Sequence, residues 1–291
     1  MASTQDPVRR LRVAGEEIEF ADQGDGEPIL LVHGGVFSDW FLPMTHASQL
    51  AGYRLIRVRR AGFLDGTAPA APLSFADHAR HCALLLDALG LKDAHVCGHS
   101  SGALVALQLA LDVPTAVRTL TLLEPAPAGD LAEPADGEAI GRLIGPAMAA
   151  AAAGDVDTAF DTFLETVGGS GGRALVERTL GTDGLQMAVG QARTLTNEVH
   201  AVTGWRFTSD DASRITQPLL LVQGGRSHEL APFAPNTIPA LAAMAPHVRV
   251  VTLPGVTHLM PLQDPAGVAG LLADFIAEHV ASDASNKRLD T

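Results

Sequence analysis

Gly98, His99, Ser100, Ser101 and Gly102 set a serine between two glycines at G-x-S-x-G spacing. An apolar run, Ala94 to Cys97, leads in, and a small-residue helical pattern, Ala103 to Ala110, leads out. That is the strand, sharp turn and helix from which a nucleophile elbow raises a serine hydroxyl. The turn forces a strained backbone on the serine, and the glycines remove side chains that would collide there. A serine hydroxyl is a poor nucleophile until a base takes its proton, and a base that titrates near neutrality is a histidine. Of the eleven histidines, His258 follows the last predicted strand, Val248 to Leu253, in a short glycine-bearing loop. It also comes after the serine in chain order, so it is the expected base, with His228 as the rival. His99 lies inside the elbow, and its side chain is expected to point away from the reacting centre.

Acyl transfer to a serine also needs donors for the developing oxyanion. Pro28 to His33 is a continuous apolar run, as expected of a strand buried on both faces, and it ends in His33-Gly34-Gly35-Val36. Two glycines after a central strand allow backbone N–H groups to face inward. We expect one donor from Gly35, with Val36 second, and the other from Ser101. Gly34 is expected beside the substrate.

These residues require a frame. Apolar strands at Leu11 to Val13, Glu17 to Ala21, Pro28 to His33, Tyr53 to Val58, Ala94 to Cys97, Val117 to Leu123, Pro218 to Val222 and Val248 to Leu253 mostly alternate with helical stretches. The pattern predicts an α/β fold, a mostly parallel eight-stranded sheet covered by helices on both faces. Sites in such sheets lie at the carboxyl ends of strands. Gly35, Ser100, Glu124, Ser227 and His258 all fall just past one. Ser74 is placed to cap a helix that Gly90 closes. From about Gly129 to Ser213 the chain is alanine-rich and helical without a strong strand, interrupted at Gly168 to Gly172 and Gly181 to Gly184. We expect a core built on this sheet from 1–128 and 214–291, and an inserted helical cap from 129–213. Trp205 and Phe207, near the end of the insertion, either line a substrate pocket or simply pack.

Bulk properties narrow the partners. The chain has 291 residues, 47% of them apolar, and a formal net charge of −13. No run resembles a membrane span, and the first ten residues lack the apolar core of a secretion signal, so a soluble cytoplasmic protein is expected. The charge argues against nucleic acid and anionic membranes as partners. Cys82 and Cys97 are expected as buried free thiols. His78 and His81 lie three apart on one helical face, but no third ligand accompanies them, so no metal is expected.

The order of HGG loop, GHSSG elbow, helical insertion and late G-x-x-H resembles the α/β-hydrolase superfamily over nearly the whole chain. That resemblance implies a third member, an acid on the far nitrogen of the histidine. The superfamily's usual position for it is a G-x-x-D after the strand preceding the histidine strand. Here Gly224-Gly225-Arg226 leads to Ser227. A second arrangement puts the acid after the strand that follows the nucleophile helix, where this chain reads Leu122-Leu123-Glu124-Pro125, 24 residues beyond Ser100. The chain is similar in this to a Ser-Glu-His subgroup of which fungal zearalenone lactonases are an example. Glu124 is the expected acid, with Glu229 the alternative. The loop reading Arg60-Ala61-Gly62-Phe63-Leu64-Asp65-Gly66 departs from the superfamily's R-G-x-G-x-S pattern. Haloalkane dehalogenases and epoxide hydrolases of similar layout use Asp where this chain has Ser100. The resemblance implies a serine hydrolase without a cofactor, acting on a small-molecule ester or lactone. The same layout also serves carbon–carbon bond hydrolases, thioesterases, perhydrolases and slow-hydrolase ligand sensors. A homodimer stays open, since nothing in the sequence marks an interface.

Overall fold

A computed structural model describes residues 7–63, 72–132, 134–230 and 234–289 of the chain. The first six residues and the Leu64–Gly66 part of the loop singled out above lie outside them. Eight strands form one sheet: β1 (Arg9–Val13), β2 (Glu16–Gln23), β3 (Glu27–Val32), β4 (Tyr53–Arg59), β5 (Ala94–His99), β6 (Val117–Leu123), β7 (Leu219–Gly224) and β8 (Val248–Leu253). Their order across the sheet is β1-β2-β4-β3-β5-β6-β7-β8. β1 and β2 pair antiparallel, as do β2 and β4; every later pairing is parallel. β3, β5 and β6 form the middle. All six residues of β5 are buried, His95 and His99 included, so the strand shows no alternation of buried and exposed positions.

Helices cover both faces. α1 (Phe75–Ala88) opens on a capping box in which the Ser74 hydroxyl accepts from Asp77 N–H and the Asp77 carboxylate accepts from Ser74 N–H. α2 (Ser101–Asp112) follows the elbow directly, and nine of its residues are buried. α1, α2 and one sheet face share a core of Phe20, Ile56, Phe75, Leu85 and Leu104. The other face packs Ile29, Leu55, Leu220 and Phe275. Each such side chain contributes about 1.5–3 kcal/mol by leaving water.

Between β6 and β7 come α3 (Pro134–Ala152), α4 (Val156–Gly168), α5 (Gly172–Gln191), α6 (Leu195–Gly204) and the short α7 (Ser209–Ser213). The glycine-rich stretch at 168–172 is the break between α4 and α5, with Gly169 and Gly171 at φ +80° and +90°. At Gly181 the chain kinks within α5 instead of forming a loop. These helices have their own core, which includes Phe160, Leu164 and Leu185. It closes on Val36, Phe37 and Trp40 after β3 and on Leu259 and Leu262 after β8. The insertion therefore rests on two loops that leave the carboxyl edge of the sheet.

α8 (Ala234–Met244), α9 (Met260–Gln263) and α10 (Pro265–Leu289) complete the chain. Cys82 and Cys97 are buried and unpaired. Burial pushes the Cys82 thiol up to about 12 and raises that of Cys97 as well. No helix among the described residues is long and apolar enough to cross a membrane, and none of their His, Cys, Asp and Glu side chains form a group of three that could hold a metal ion.

Candidate active site

Ser100 occupies the turn between β5 and α2 at φ +55°, ψ −123°. A Cβ on Gly98 would lie 2.5 Å from the Gly102 carbonyl oxygen, and one on Gly102 would overlap the carbonyl oxygens of Val32 and His33. Only glycine fits at either position, which is the physical content of the motif. Ser100 N–H donates to the Leu123 carbonyl at 2.9 Å, and its own carbonyl accepts from Ala126 N–H at 3.2 Å. The elbow is thus tied to the end of β6. Ser101 begins α2, so its N–H has no partner within the helix.

Glu124 follows β6 at φ +40°. Its side chain is buried. Oε1 accepts from Gly224 N–H at 2.6 Å, and Oε2 accepts from His258 Nδ1–H at 2.8 Å. With Nδ1 protonated against a carboxylate, Nε2 is the basic nitrogen of the ring. Glu229 is exposed and bound to Arg226 at 2.9 Å, and His228 beside it is exposed. Neither reaches this cluster. Ser227, at the position the superfamily usually gives to its acid, is buried with its hydroxyl unpartnered. A Cβ on Gly224 would lie 2.6 Å from that hydroxyl and 3.0 Å from Glu124 Oε1. The carboxylate has reached the same space from the neighbouring strand.

The sequence profile of the alpha/beta hydrolase family matches residues 29–271, more than four fifths of the chain. The chain belongs to the alpha/beta hydrolase family. Within it, the chain is similar to RutD of Azorhizobium caulinodans, a provisionally named carbamate hydrolase, at 35% identity over 37% of this chain and 40% of the relative. It is similar to the 2-hydroxymuconate semialdehyde hydrolase of Pseudomonas putida at 34% identity over 40% of this chain and 42% of that one. These matches span about two fifths of the length of those relatives. Among solved structures, an enol-lactonase from Burkholderia xenovorans superposes with a TM-score of 0.76, covering 92% of this chain and all of the other at 18% identity. The likeness identifies the family as a whole and no subgroup within it.

In this alpha/beta hydrolase, Ser100, His258 and Glu124 all open onto one cavity of about 410 Å³. Gly35, Ser101 and Ser227 reach its floor. Its walls are apolar, with Ile140, Ile144, Phe163, Leu195 and Val199 contributed by the inserted helices. Three expectations need correction. Trp205 and Phe207 do not line the cavity. Their rings stack at 5.0 Å, Trp205 packs edge-on against Phe75 of α1, and its indole N–H donates to Gln108 Oε1. They belong to the main core because the chain has already returned to the sheet before α7 begins. Gly34 is not at the surface of the cavity either. A Cβ there would press on Ser100 Cβ and His99 Nδ1, so its role is close packing beneath the elbow. His99 does not point away from the site. Its Nε2–H donates to the His258 carbonyl at 2.9 Å, and the two rings lie 4.6 Å apart. Burial holds the His99 imidazole well below the usual histidine range, so it props the loop of His258 as a neutral ring. Val36, the second-choice oxyanion donor, sits at φ +72° with its side chain in the core of the inserted helices, and Gly35 rather than Val36 borders the cavity.

Two residues of the site escaped the sequence analysis. Arg60, just past β4, is almost wholly buried, and its Nη2 donates to Glu198 Oε1 of α6 at 2.8 Å. Arg60 is visible in the sequence as a basic residue directly after a central strand, although nothing there marks it as buried. Glu198 carries no sequence signal, because its burial depends on a partner 138 residues away.

Proposed function

We propose that this alpha/beta hydrolase is a serine esterase or lactonase with an apolar acyl pocket. The observation that carries the reading is the 2.8 Å bond from His258 Nδ1–H to buried Glu124, both lining the cavity onto which the strained Ser100 opens. Ser100 Oγ attacks the ester or lactone carbonyl while His258 Nε2 takes its proton. The N–H groups of Gly35 and Ser101 hold the resulting oxyanion. As the tetrahedral intermediate collapses, His258 returns the proton to the departing alcohol oxygen, leaving an acyl ester on Ser100. His258 then removes a proton from water. The hydroxide attacks the acyl carbon, and collapse returns the proton to Ser100 and releases the carboxylic acid. For a lactone, the alcohol and the acid leave as one hydroxy acid. Glu124 holds the tautomer and stabilises the imidazolium throughout.

The cavity favours an uncharged acyl group. No Lys or Arg is among its described lining residues, and the lining carboxylate Glu198 is matched by Arg60. The similarity to an enol-lactonase agrees with this reading, and carbon–carbon bond hydrolysis is the competing use of the same machinery. Replacing Ser100 with Ala tests the mechanism on a panel of aryl esters of rising chain length and on lactones. Turnover is expected to fall by several orders of magnitude with the fold kept, and labelling by a fluorophosphonate is expected to disappear. Full activity in that variant refutes the reading.

A further inference from the structure

We infer that Arg60 is a positioning residue for the oxyanion hole, acting on both of its donor residues through one guanidinium nitrogen that Glu198 of α6 holds in place. The inference rests on the reading above, in which Gly35 and Ser101 supply the donors. Arg60 Nη2 lies 3.0 Å from the Gly34 carbonyl oxygen, 3.4 Å from Ser101 Oγ and 2.8 Å from Glu198 Oε1. The Gly34 carbonyl and the Gly35 N–H belong to the same planar peptide, coupled by resonance. A charge-assisted hydrogen bond accepted by that oxygen draws electron density from the nitrogen and strengthens the N–H as a donor. A second bond does the same. Arg60 N–H donates to His33 Nε2 at 3.0 Å, which fixes the proton of that neutral ring on Nδ1, and Nδ1 donates to the same Gly34 oxygen at 2.7 Å. The peptide that offers its N–H to the substrate is thus gripped twice from behind.

The arrangement is not what a merely structural ion pair requires. An apolar pair of similar volume packs such a site as well or better. Among the described residues, Arg60 moreover leaves Nε and Nη1 buried without a hydrogen-bond partner, so its guanidinium is not placed to satisfy itself. The nitrogen in use is the one aimed at the oxyanion loop. Glu198 completes the device from the inserted helices. Its Cγ would lie 2.9 Å from a Cβ on Gly35, so the carboxylate side chain rests directly on the donor residue and only glycine fits beneath it. Seating α6 therefore fixes Arg60, and Arg60 fixes the donors. Paired with Arg60, the Glu198 carboxylate also adds little net negative charge beside an oxyanion.

The test replaces both charges at once, Arg60→Met with Glu198→Leu, since removing one alone strands the other in the interior. The assays are kcat and KM on an aryl ester, affinity for an alkyl boronic acid that forms a tetrahedral adduct on Ser100, and affinity for a ketone isostere of the ester that mimics only bound substrate. Losing a whole oxyanion donor costs about 100- to 1000-fold in kcat, so weakening without removal is expected to cost about 10- to 100-fold. Boronate affinity should fall by a similar factor, with KM and ketone affinity within about twofold of the parent. Unchanged kcat, or a loss shared equally by KM and the ketone, overturns the inference. Where the double variant does not fold, Arg60→Lys decides it: a smaller loss in the same pattern supports the role, and a loss confined to KM, or no loss in kcat, overturns it. Ser100→Ala run in parallel separates the two levels. If that variant keeps turnover, the mechanism itself fails and the inference with it. If it is inert while the double variant keeps full kcat, only the role of Arg60 fails.

Discussion

Replacing Glu124 with Gln is the most informative single change at this site, because it keeps the shape and removes one charge. The carboxylate accepts two bonds, from Gly224 N–H at 2.6 Å and from His258 Nδ1–H at 2.8 Å. A glutamine has one oxygen and one NH₂ to offer the same two donors. If its oxygen stays on Gly224, the NH₂ faces Nδ1, which must then accept. The ring proton moves to Nε2, and the nitrogen that serves as base in the proposed mechanism can no longer take a proton. If the amide flips, the NH₂ meets the buried Gly224 N–H, leaving unmatched donors at a cost of about 1–3 kcal/mol. The first outcome is the cheaper, and it holds the base in the wrong tautomer. Such a change is worth roughly 10⁴ in kcat, or about 5 kcal/mol at 1.36 kcal/mol per decade. The assay is steady-state hydrolysis of an aryl ester near neutral pH, with a thermal melt to show that the fold is kept. Glu229→Gln serves as the control and is expected to stay within about twofold, because that carboxylate is exposed and its pair with Arg226 is screened by solvent. Glu124→Gln within tenfold of the parent, or an equal loss from Glu229→Gln, refutes the assignment of the acid.

Ser227 and Glu124 crowd the same space over Gly224. Adding Ser227→Asp to a Glu124→Ala variant is therefore expected to recover at least about tenfold of the lost kcat; no recovery shows that the neighbouring strand cannot present an acid to His258. Trp205→Ala should lower stability by about 3–5 kcal/mol in urea melts while leaving the chain-length preference for aryl esters unchanged. Ile144→Phe, which narrows the cavity, should instead shift that preference toward short acyl groups. A changed preference in the Trp205 variant contradicts its place in the core. Burial holds His33, His78 and His99 well below the usual histidine range, with the Arg60 charge adding to this at His33 and His78. Their folded values lie below an unfolded value of about 6.5, so the unfolded chain binds more protons in between. Stability should be full above about pH 6.5 and fall as pH drops, by up to about 1.4 kcal/mol per unit for each ring. Urea midpoints that do not change between neutral and mildly acidic pH contradict this.

Much of the architecture is legible in the residues because it depends on local pattern. The run from Ala94 to Cys97, with His95 its one polar member, is otherwise apolar because both faces of β5 are covered, and Gly98 is dictated by a collision within a few residues of it, whereas Gly102 answers to the Val32 and His33 carbonyls at the end of β3. Parallel strands deliver their carboxyl ends to one edge, which brings the ends of β5, β6 and β8 together, but the choice of Glu124 over Glu229 as the acid rests on the resemblance to a Ser-Glu-His subgroup. What sequence could not supply is contact across the molecule. Trp205 and Phe207 look like pocket aromatics in a helical insertion, yet their neighbour is Phe75, 130 residues earlier. His99 alternates correctly along its strand, but the return of the β8 loop brings His258 against it. Glu198 is one acid in the short helix α6 until Arg60 is seen beneath it.

The positive-φ residues carry a consequence for adaptation. Among the described residues only four other than glycine have positive φ, and three of them are Val36, Ser100 and Glu124, at the ends of three adjacent strands. Conformations of this kind cost about 1–3 kcal/mol each. Glycine at Ser100 would remove the cost there, whereas at 36 and 124 the buried Val36 side chain and the two bonds accepted by Glu124 oppose the change, so a library of this protein sorted only for resistance to heat should enrich glycine at 100 and eliminate the nucleophile. Selection that retains the nucleophile must act on turnover, and it must find its gains in stability elsewhere in the sheet and in the inserted helices.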